Sequence, residues 1–289
     1  MQTILLIFQF ILGACFGSFL CCQARRLHLI EERTEECPSG KQRPKAKPSS
    51  GKSQAAQLGK RSVCLSCHTK LAWYDNIPIF SWLVLRGKCR KCGKRIGVAE
   101  LLSELGVAFA FLALGFTIQI SNASIMEWAI FITTLIFVLV LAFLAIYDGL
   151  YGKLPTVILI LSVLLGFVVL VVKEWLYVIN FGFSVQEVLI QPLLSVLILG
   201  GIYLFLYLLS RGKWVGDGDW ILCTGIALAL ANPWLAFITL FLANFLACLV
   251  SYPIIRKRKN HKIHLGPFLV IAFVIVATFT KPLLTLIVF

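Results

Sequence analysis

Long apolar runs, each ended by a short cluster of charged or turn-forming residues, dominate this chain. Eight of them are read as helices that cross a bilayer: 3–22, 98–120, 125–147, 154–172, 189–209, 220–231, 234–255 and 265–289. They show neither the strict alternation of a half-buried strand nor the one-sided stripe of a solvated helix, and most approach the length of about 20 residues that spans a hydrocarbon core. Two are irregular. The run 220–231 is short and is expected to begin earlier, near Gly216, and the last is interrupted at Lys281-Pro282. No basic residue and no clear small-residue cleavage site mark the first run, so it is not expected to be a removed signal.

Composition agrees with that pattern. Of 289 residues, 59% are hydrophobic and 14% charged, and the mean hydropathy is +0.90. Soluble domains carry about 25% charged residues, so a water-soluble enzyme and a disordered chain are both excluded. The net charge of +14 sorts by loop: residues 23–97 hold 17 Lys and Arg against five acids. If that loop is cytoplasmic, Lys153, Arg211, Lys213 and the cluster from Arg256 to Lys262 fall on the same side. Only Lys173 and Lys281 remain for the other. The positive-inside rule favours this orientation. The basic clusters are therefore read as topology and headgroup contacts, with no nucleic-acid partner.

The loop 23–97 divides in two. Its part 31–60 is rich in Lys, Glu, Ser, Gln and Pro and should be flexible. Its part 61–97 holds Trp73, Tyr74, Phe80 and Trp82, with Cys64-x-x-Cys67 and Cys89-x-x-Cys92. Each knuckle offers two thiolates to one ion, and two complete a tetrahedral zinc site. A structural zinc suits a module too small to bury much core; the competing reading is a set of redox thiols. His68, beside Cys67, is read as lying around the site. Asp75 is read as a cap or turn residue, and Glu100 and Glu104 as helix-dipole partners.

Carboxylates at the ends of spans are costly and point to function. Asp148 ends the third span, and Asp219 lies in Gly216-Asp217-Gly218-Asp219 at the start of the sixth. Two intervening spans return both to one face at similar depth. Two neighbouring carboxyls share a proton, so one can take a proton from water while the other polarises a peptide carbonyl. The flanking Gly216 and Gly218 allow close backbone approach, and Asp217 is read as a solvated neighbour. Ordinary dipole pairing competes with this reading, because Gly-x-Gly-Asp is a weak pattern in isolation. There is no His-Glu-x-x-His, no Gly-x-Ser-x-Gly and no P-loop.

Further motifs fall in order. Gly17-Ser18-Phe19-Leu20 ends the first span and Arg25-Arg26-Leu27 follows it. The knuckles bracket Tyr74-Asp75-Asn76-Ile77-Pro78, Ser81-Trp82-Leu83 and Leu85-Arg86-Gly87, and Gly266-Pro267-Phe268-Leu269 opens the last span. With Asp148 and Gly216-Asp217-Gly218-Asp219, this series resembles the type IV prepilin peptidases, membrane aspartyl proteases of the Gly-x-Gly-Asp type. The chain departs from the family at Cys21-Cys22 and at Trp220-Ile221, and neither change removes a carboxylate.

The resemblance implies an endopeptidase that removes the basic leader of type IV prepilins or pseudopilins at the cytoplasmic face of the bacterial membrane. Asp148 and Asp219 would be catalytic and Gly216 and Gly218 would support them. Many members also methylate the new amino terminus with S-adenosylmethionine, for which no site is legible here. The expected fold is an all-α polytopic protein of about eight spans, with the peptidase core in 98–289 and a zinc-ribbon-like insertion held by Cys64, Cys67, Cys89 and Cys92. The competing class is a membrane scaffold of a pilus or secretion system, which would tolerate loss of either aspartate.

Overall fold

In the computed structural model of the chain, the described residues are 2–36, 64, 67, 69, 72–95, 97–118, 123–181, 185–257 and 264–288. Cys37 and His68 lie outside them. Eleven α-helices account for most of these residues, and their only strand-like pairing is an isolated bridge between Lys88 and Arg95. Among the described residues, six helical stretches are long and apolar enough to cross a membrane. The runs at 220–231 and 265–289 form shorter helices. The chain divides into two compact units, Met1–Phe10 with Phe109–Phe289, and Ile11–Ala108.

The larger unit holds the core. Helix α4 (Ile125–Tyr151) opens with a reciprocal cap: the Glu127 N–H donates to the Ser124 hydroxyl at 3.2 Å and the Ser124 N–H to the Glu127 carboxylate at 2.8 Å. It closes on Gly152, whose φ of 65° is the left-handed conformation a helix end favours. Helix α5 (Thr156–Phe181) follows. Next come α6 (Val185–Val196), a π-helical turn Leu197–Gly201 and α7 (Ile202–Ser210), which together contain a continuous apolar stretch Leu189–Ser210. Helices α8 (Asp219–Leu230), α9 (Pro233–Lys257), α10 (Gly266–Thr278) and α11 (Thr280–Val288) complete the unit. The break at Phe279 has a covalent cause. Pro282 lacks an N–H and its ring would strike the Thr278 carbonyl of a continued helix.

Large buried side chains from α4, α8 and α10, among them Phe137, Leu141, Leu144, Leu222, Ile226, Leu269 and Phe273, fill the centre. Helix α8 sits hard against α5, where a methyl group on Gly166 would collide with the Gly225 carbonyl. Such backbone contact through small residues is how helices associate where lipid supplies no hydrophobic drive. Facing outward, Phe237, Phe241, Phe245 and Leu249 form an exposed apolar row on α9, as a bilayer-facing helix should.

The smaller unit contains most of α1 (Gln2–Glu36), the cysteine module with α2 (Phe80–Val84), and the start of α3 (Val98–Gly115). Helix α1 does not stop with its apolar run. Residues 31–36, expected to be flexible, continue the helix, and a His28–Glu32 pair at 3.3 Å lies one turn apart on it. A Cβ on Gly17 would lie 2.5 Å from the Ser103 carbonyl oxygen, so α1 and α3 touch through their backbones there. Arg25 pairs with Glu100 at 2.5 Å. Glu104 is buried and accepts the Ile79 N–H at 2.7 Å. Ile79 holds a φ of 61°, unusual for a β-branched residue. This contact ties the entry to α2 to a point six residues inside α3. The two glutamates, expected to act alike on the helix dipole, therefore hold different elements.

Candidate functional site

Asp148 lies in the last turn of α4 and Asp219 is the first residue of α8; they are 6% and 9% exposed. The two carboxyls are close enough to interact electrostatically. Both α5 and α10 pack against α4 and α8, so two shared neighbours set the spacing of the aspartates.

Each aspartate is held by a glycine N–H. Gly266 donates to Asp148 Oδ2 at 3.0 Å, and Gly216 donates to Asp219 Oδ2 at 3.0 Å. Neither glycine could carry a side chain at no cost: a Cβ on Gly266 would stand 2.8 Å from Asp148 Oδ2, and one on Gly216 3.1 Å from Asp219 Oδ2. Gly218, the residue before α8, is pressed against Leu154 and Leu159, where a Cβ would come within 2.9 Å and 3.0 Å. The motif is thus compact because both glycines are crowded, one by the carboxylate and one by the neighbouring chain. Helix α8 starts at Asp219 and not near Gly216: the Leu222 N–H donates to the carbonyl of Gly218, its cap residue, at 3.0 Å, while the Asp219 N–H makes only a turn bond to Gly216 at 3.3 Å. Asp217 is exposed beside it.

Sequence reasoning passed over two participants. Gly266 was visible only as part of a motif, and its N–H reaches Asp148 from 118 positions away. His264, the histidine nearest that motif, places Nδ1 3.7 Å from Asp148 Oδ1. A histidine two residues before Gly-Pro at a span start was the available signal.

The second site is the thiol cluster. The sulfurs of Cys64, Cys67, Cys89 and Cys92 all lie within 4.8 Å of one another, and Cys64 and Cys92 are 3.9 Å apart. Sulfurs bound at 2.3 Å to one tetrahedral ion would be about 3.8 Å apart. These four residues can hold a metal ion, and the all-thiolate donor set fits zinc.

Backbone bonds shape both knuckles: Cys64 N–H to the Thr69 carbonyl at 3.0 Å, Cys89 N–H to that of Lys94 at 2.8 Å, and Gly93 N–H to that of Cys89 at 2.9 Å. The Thr69 hydroxyl lies 2.9 Å from the Cys67 sulfur. Hydrogen bonds from the Thr69 side chain and backbone hold this thiol well below its ordinary range, at about 6, where it readily serves as a ligand. Arg90 joins the second knuckle to the turn before α2, with Asp75 at 3.1 Å and its guanidinium 5.0 Å from the Tyr74 ring centre. Asp75 also accepts the Ala72 N–H at 3.3 Å, the turn role expected of it.

An all-helical membrane protein with two buried, glycine-held aspartates and a four-thiol module is the class that these features define. The family profile "Bacterial Peptidase A24 N-terminal domain" matches residues 11–118, starting where the smaller unit starts. Curated relatives carry the name prepilin leader peptidase/N-methyltransferase. That of Myxococcus xanthus is 37% identical over 107 residues, covering 37% of this chain and 25% of the relative. That of Vibrio cholerae is 27% identical across 75% of this chain and 80% of its own length. For Pseudomonas aeruginosa the figures are 24%, 91% and 86%. No solved structure matches. Over these lengths the chain is similar to the prepilin leader peptidases/N-methyltransferases.

Proposed function

We propose that the chain is an aspartyl endopeptidase that removes the basic leader of type IV prepilins or pseudopilins at the cytoplasmic face of the bacterial inner membrane. The observation that carries this reading is the pair Asp148 and Asp219, buried on different helices within electrostatic reach and each anchored by one glycine N–H. Two carboxyls so close favour a state with one proton between them. The ionised member takes a proton from water as the water oxygen bonds to the scissile carbonyl carbon. The protonated member gives its proton to the carbonyl oxygen. Collapse of the tetrahedral species breaks the C–N bond, and the proton taken from water passes to the departing amine. The substrate's apolar helix would dock among the spans, since a basic leader gains nothing from a chain of net charge +14.

The relatives' names support a second reaction, in which S-adenosylmethionine supplies a methyl group to the freed amine. Cys64, Cys67, Cys89 and Cys92 would hold a structural Zn²⁺, closed by four thiolates and so without an open position for chemistry. The test is intact-mass analysis of a prepilin co-expressed with wild type, Asp148→Asn or Asp219→Asn. Loss of the leader with wild type alone is expected, with one added methyl on the product. Cleavage that survives both substitutions would sink the two-aspartate mechanism. Uncut prepilin in all three, with the protein folded, would favour the scaffold.

A further inference from the structure

The two aspartates stand in unequal surroundings. Asp148 accepts the Gly266 N–H on Oδ2, and His264 Nδ1 stands 3.7 Å from its Oδ1. Asp219 has the Gly216 N–H on one oxygen, and among the described residues the charged or titratable groups within its electrostatic reach are Asp148, Asp217, Tyr203 and Cys223. None of those is a cation.

The helices packed against α4 and α8 carry few charges; α6 has Glu187 and α7 has none. In α5 the charged residues are Lys173 and Glu174, and Lys173 donates to the Ala229 carbonyl at the other end of α8. Besides Asp148, α4 carries only Glu127, in its first turn. Helix α10 has no charged residue, and α9 has Arg256 and Lys257 as its last two. Lys153 is exposed one residue beyond Gly152.

The fold makes room for the imidazole. Gly152 caps α4 with a φ of 65°, and a Cβ there would lie 2.6 Å from His264 Cε1. The residue that ends the helix bearing Asp148 is thus a glycine in a conformation and a space that both exclude a side chain.

We infer that His264 is a positioning residue which fixes Asp148 as the charged member of the pair and leaves Asp219 to carry the proton. This rests on the aspartyl reading above and adds a division of labour to it. Asp148 takes the proton from water; Asp219 donates to the substrate carbonyl. A protonated imidazole at 3.7 Å favours the carboxylate over the carboxylic acid, whereas Asp217 disfavours a second negative charge at Asp219.

The experiment is cleavage of a purified prepilin by the full chain in lipid nanodiscs, as kcat/KM against pH, for wild type, His264→Gln, His264→Lys, Gly152→Ala and Lys153→Gln. Without the imidazole beside it the carboxylate is lost at a higher pH. The acid limb of His264→Gln should therefore move upward, with cleavage about tenfold lower on the wild-type acid limb for a shift of one unit. The loss should shrink toward alkaline pH. His264→Lys places a cation there and should keep the limb close to wild type, and Gly152→Ala, which displaces the imidazole, should move it as His264→Gln does. Lys153→Gln should leave it in place. An unshifted limb in both His264→Gln and Gly152→Ala overturns the inference, as does a loss equal at every pH in the glutamine and lysine variants alike. Asp148→Asn separates the two levels. If it cleaves, the aspartyl reading fails; if it is inactive while the His264→Gln limb is unshifted, only the role of His264 falls.

Discussion

The Gly266 N–H donates to Asp148 across 3.0 Å, and the same glycine leaves only 2.8 Å between an imagined Cβ and that carboxylate oxygen. One residue therefore supplies a hydrogen bond and the space to receive it. Gly266→Ala should cut prepilin cleavage by at least tenfold, roughly the effect of one lost hydrogen bond to a charged group. Gly216→Ala, with 3.1 Å available at Asp219, should cost less. Initial rates at equal amounts of folded protein decide this, and the reverse order would contradict the packing described.

Glu104 and Ile79 offer a second test. Removing the acceptor in Glu104→Ala leaves a backbone N–H unpaired beside a residue already at φ 61°. The cysteine module should lose about 1–3 kcal/mol of local stability, read as faster proteolysis within 61–97. Glu104→Gln keeps a carbonyl oxygen and should be cut more slowly than Glu104→Ala.

The thiol cluster predicts its own metal content. Wild type should carry about one equivalent of Zn²⁺ and Cys64→Ser or Cys92→Ser under about half. Chelation should expose the module to protease before it affects the large helical unit. Full zinc retention in both serine variants would rule out the four-thiolate site.

At the opposite end of α8 from Asp219, Lys173 donates to the Ala229 carbonyl at 2.6 Å. That carbonyl belongs to the last turn, where no partner within the helix exists. Lys173→Met should destabilise the protein by about 1–3 kcal/mol, seen as a lower thermal midpoint in detergent. Mature pilin should still be produced at permissive temperature, because the aspartates stay in place.

The apolar runs were enough to predict the helices, because a segment that must satisfy its own backbone in lipid has few alternatives. They also put Asp148 and Asp219 at one end of the bundle. The partners of the carboxylates were not legible. Gly266 and His264 reach Asp148 from more than 110 positions away, and no local pattern encodes which glycine will face which acid. Glu100 and Glu104 look equivalent one turn apart, yet one meets Arg25 and the other Ile79. Residues 31–36 misled for a related reason: their composition suits a loose loop, but the end of an existing helix extends at little cost once nucleated. The cysteine spacing was plain, since knuckle chemistry is local. The Thr69 contact with Cys67 and the Arg90 contact with Asp75 needed the fold.

Helix α8 has 12 residues and α10 has 13, so they are only about 18–20 Å long. Polar groups mark both limits of α8, the Asp217–Asp219 pair at one and Lys173 at the other. Both helices fall short of a hydrocarbon layer of about 30 Å. They lie among longer helices that bury most of their residues, so the depth beyond their ends is bounded by protein and can admit water. Hydrolysis within a membrane consumes water, a reactant the surroundings lack. The shortness of these helices gives it a route, because the unfilled depth lies where both begin, at the aspartates.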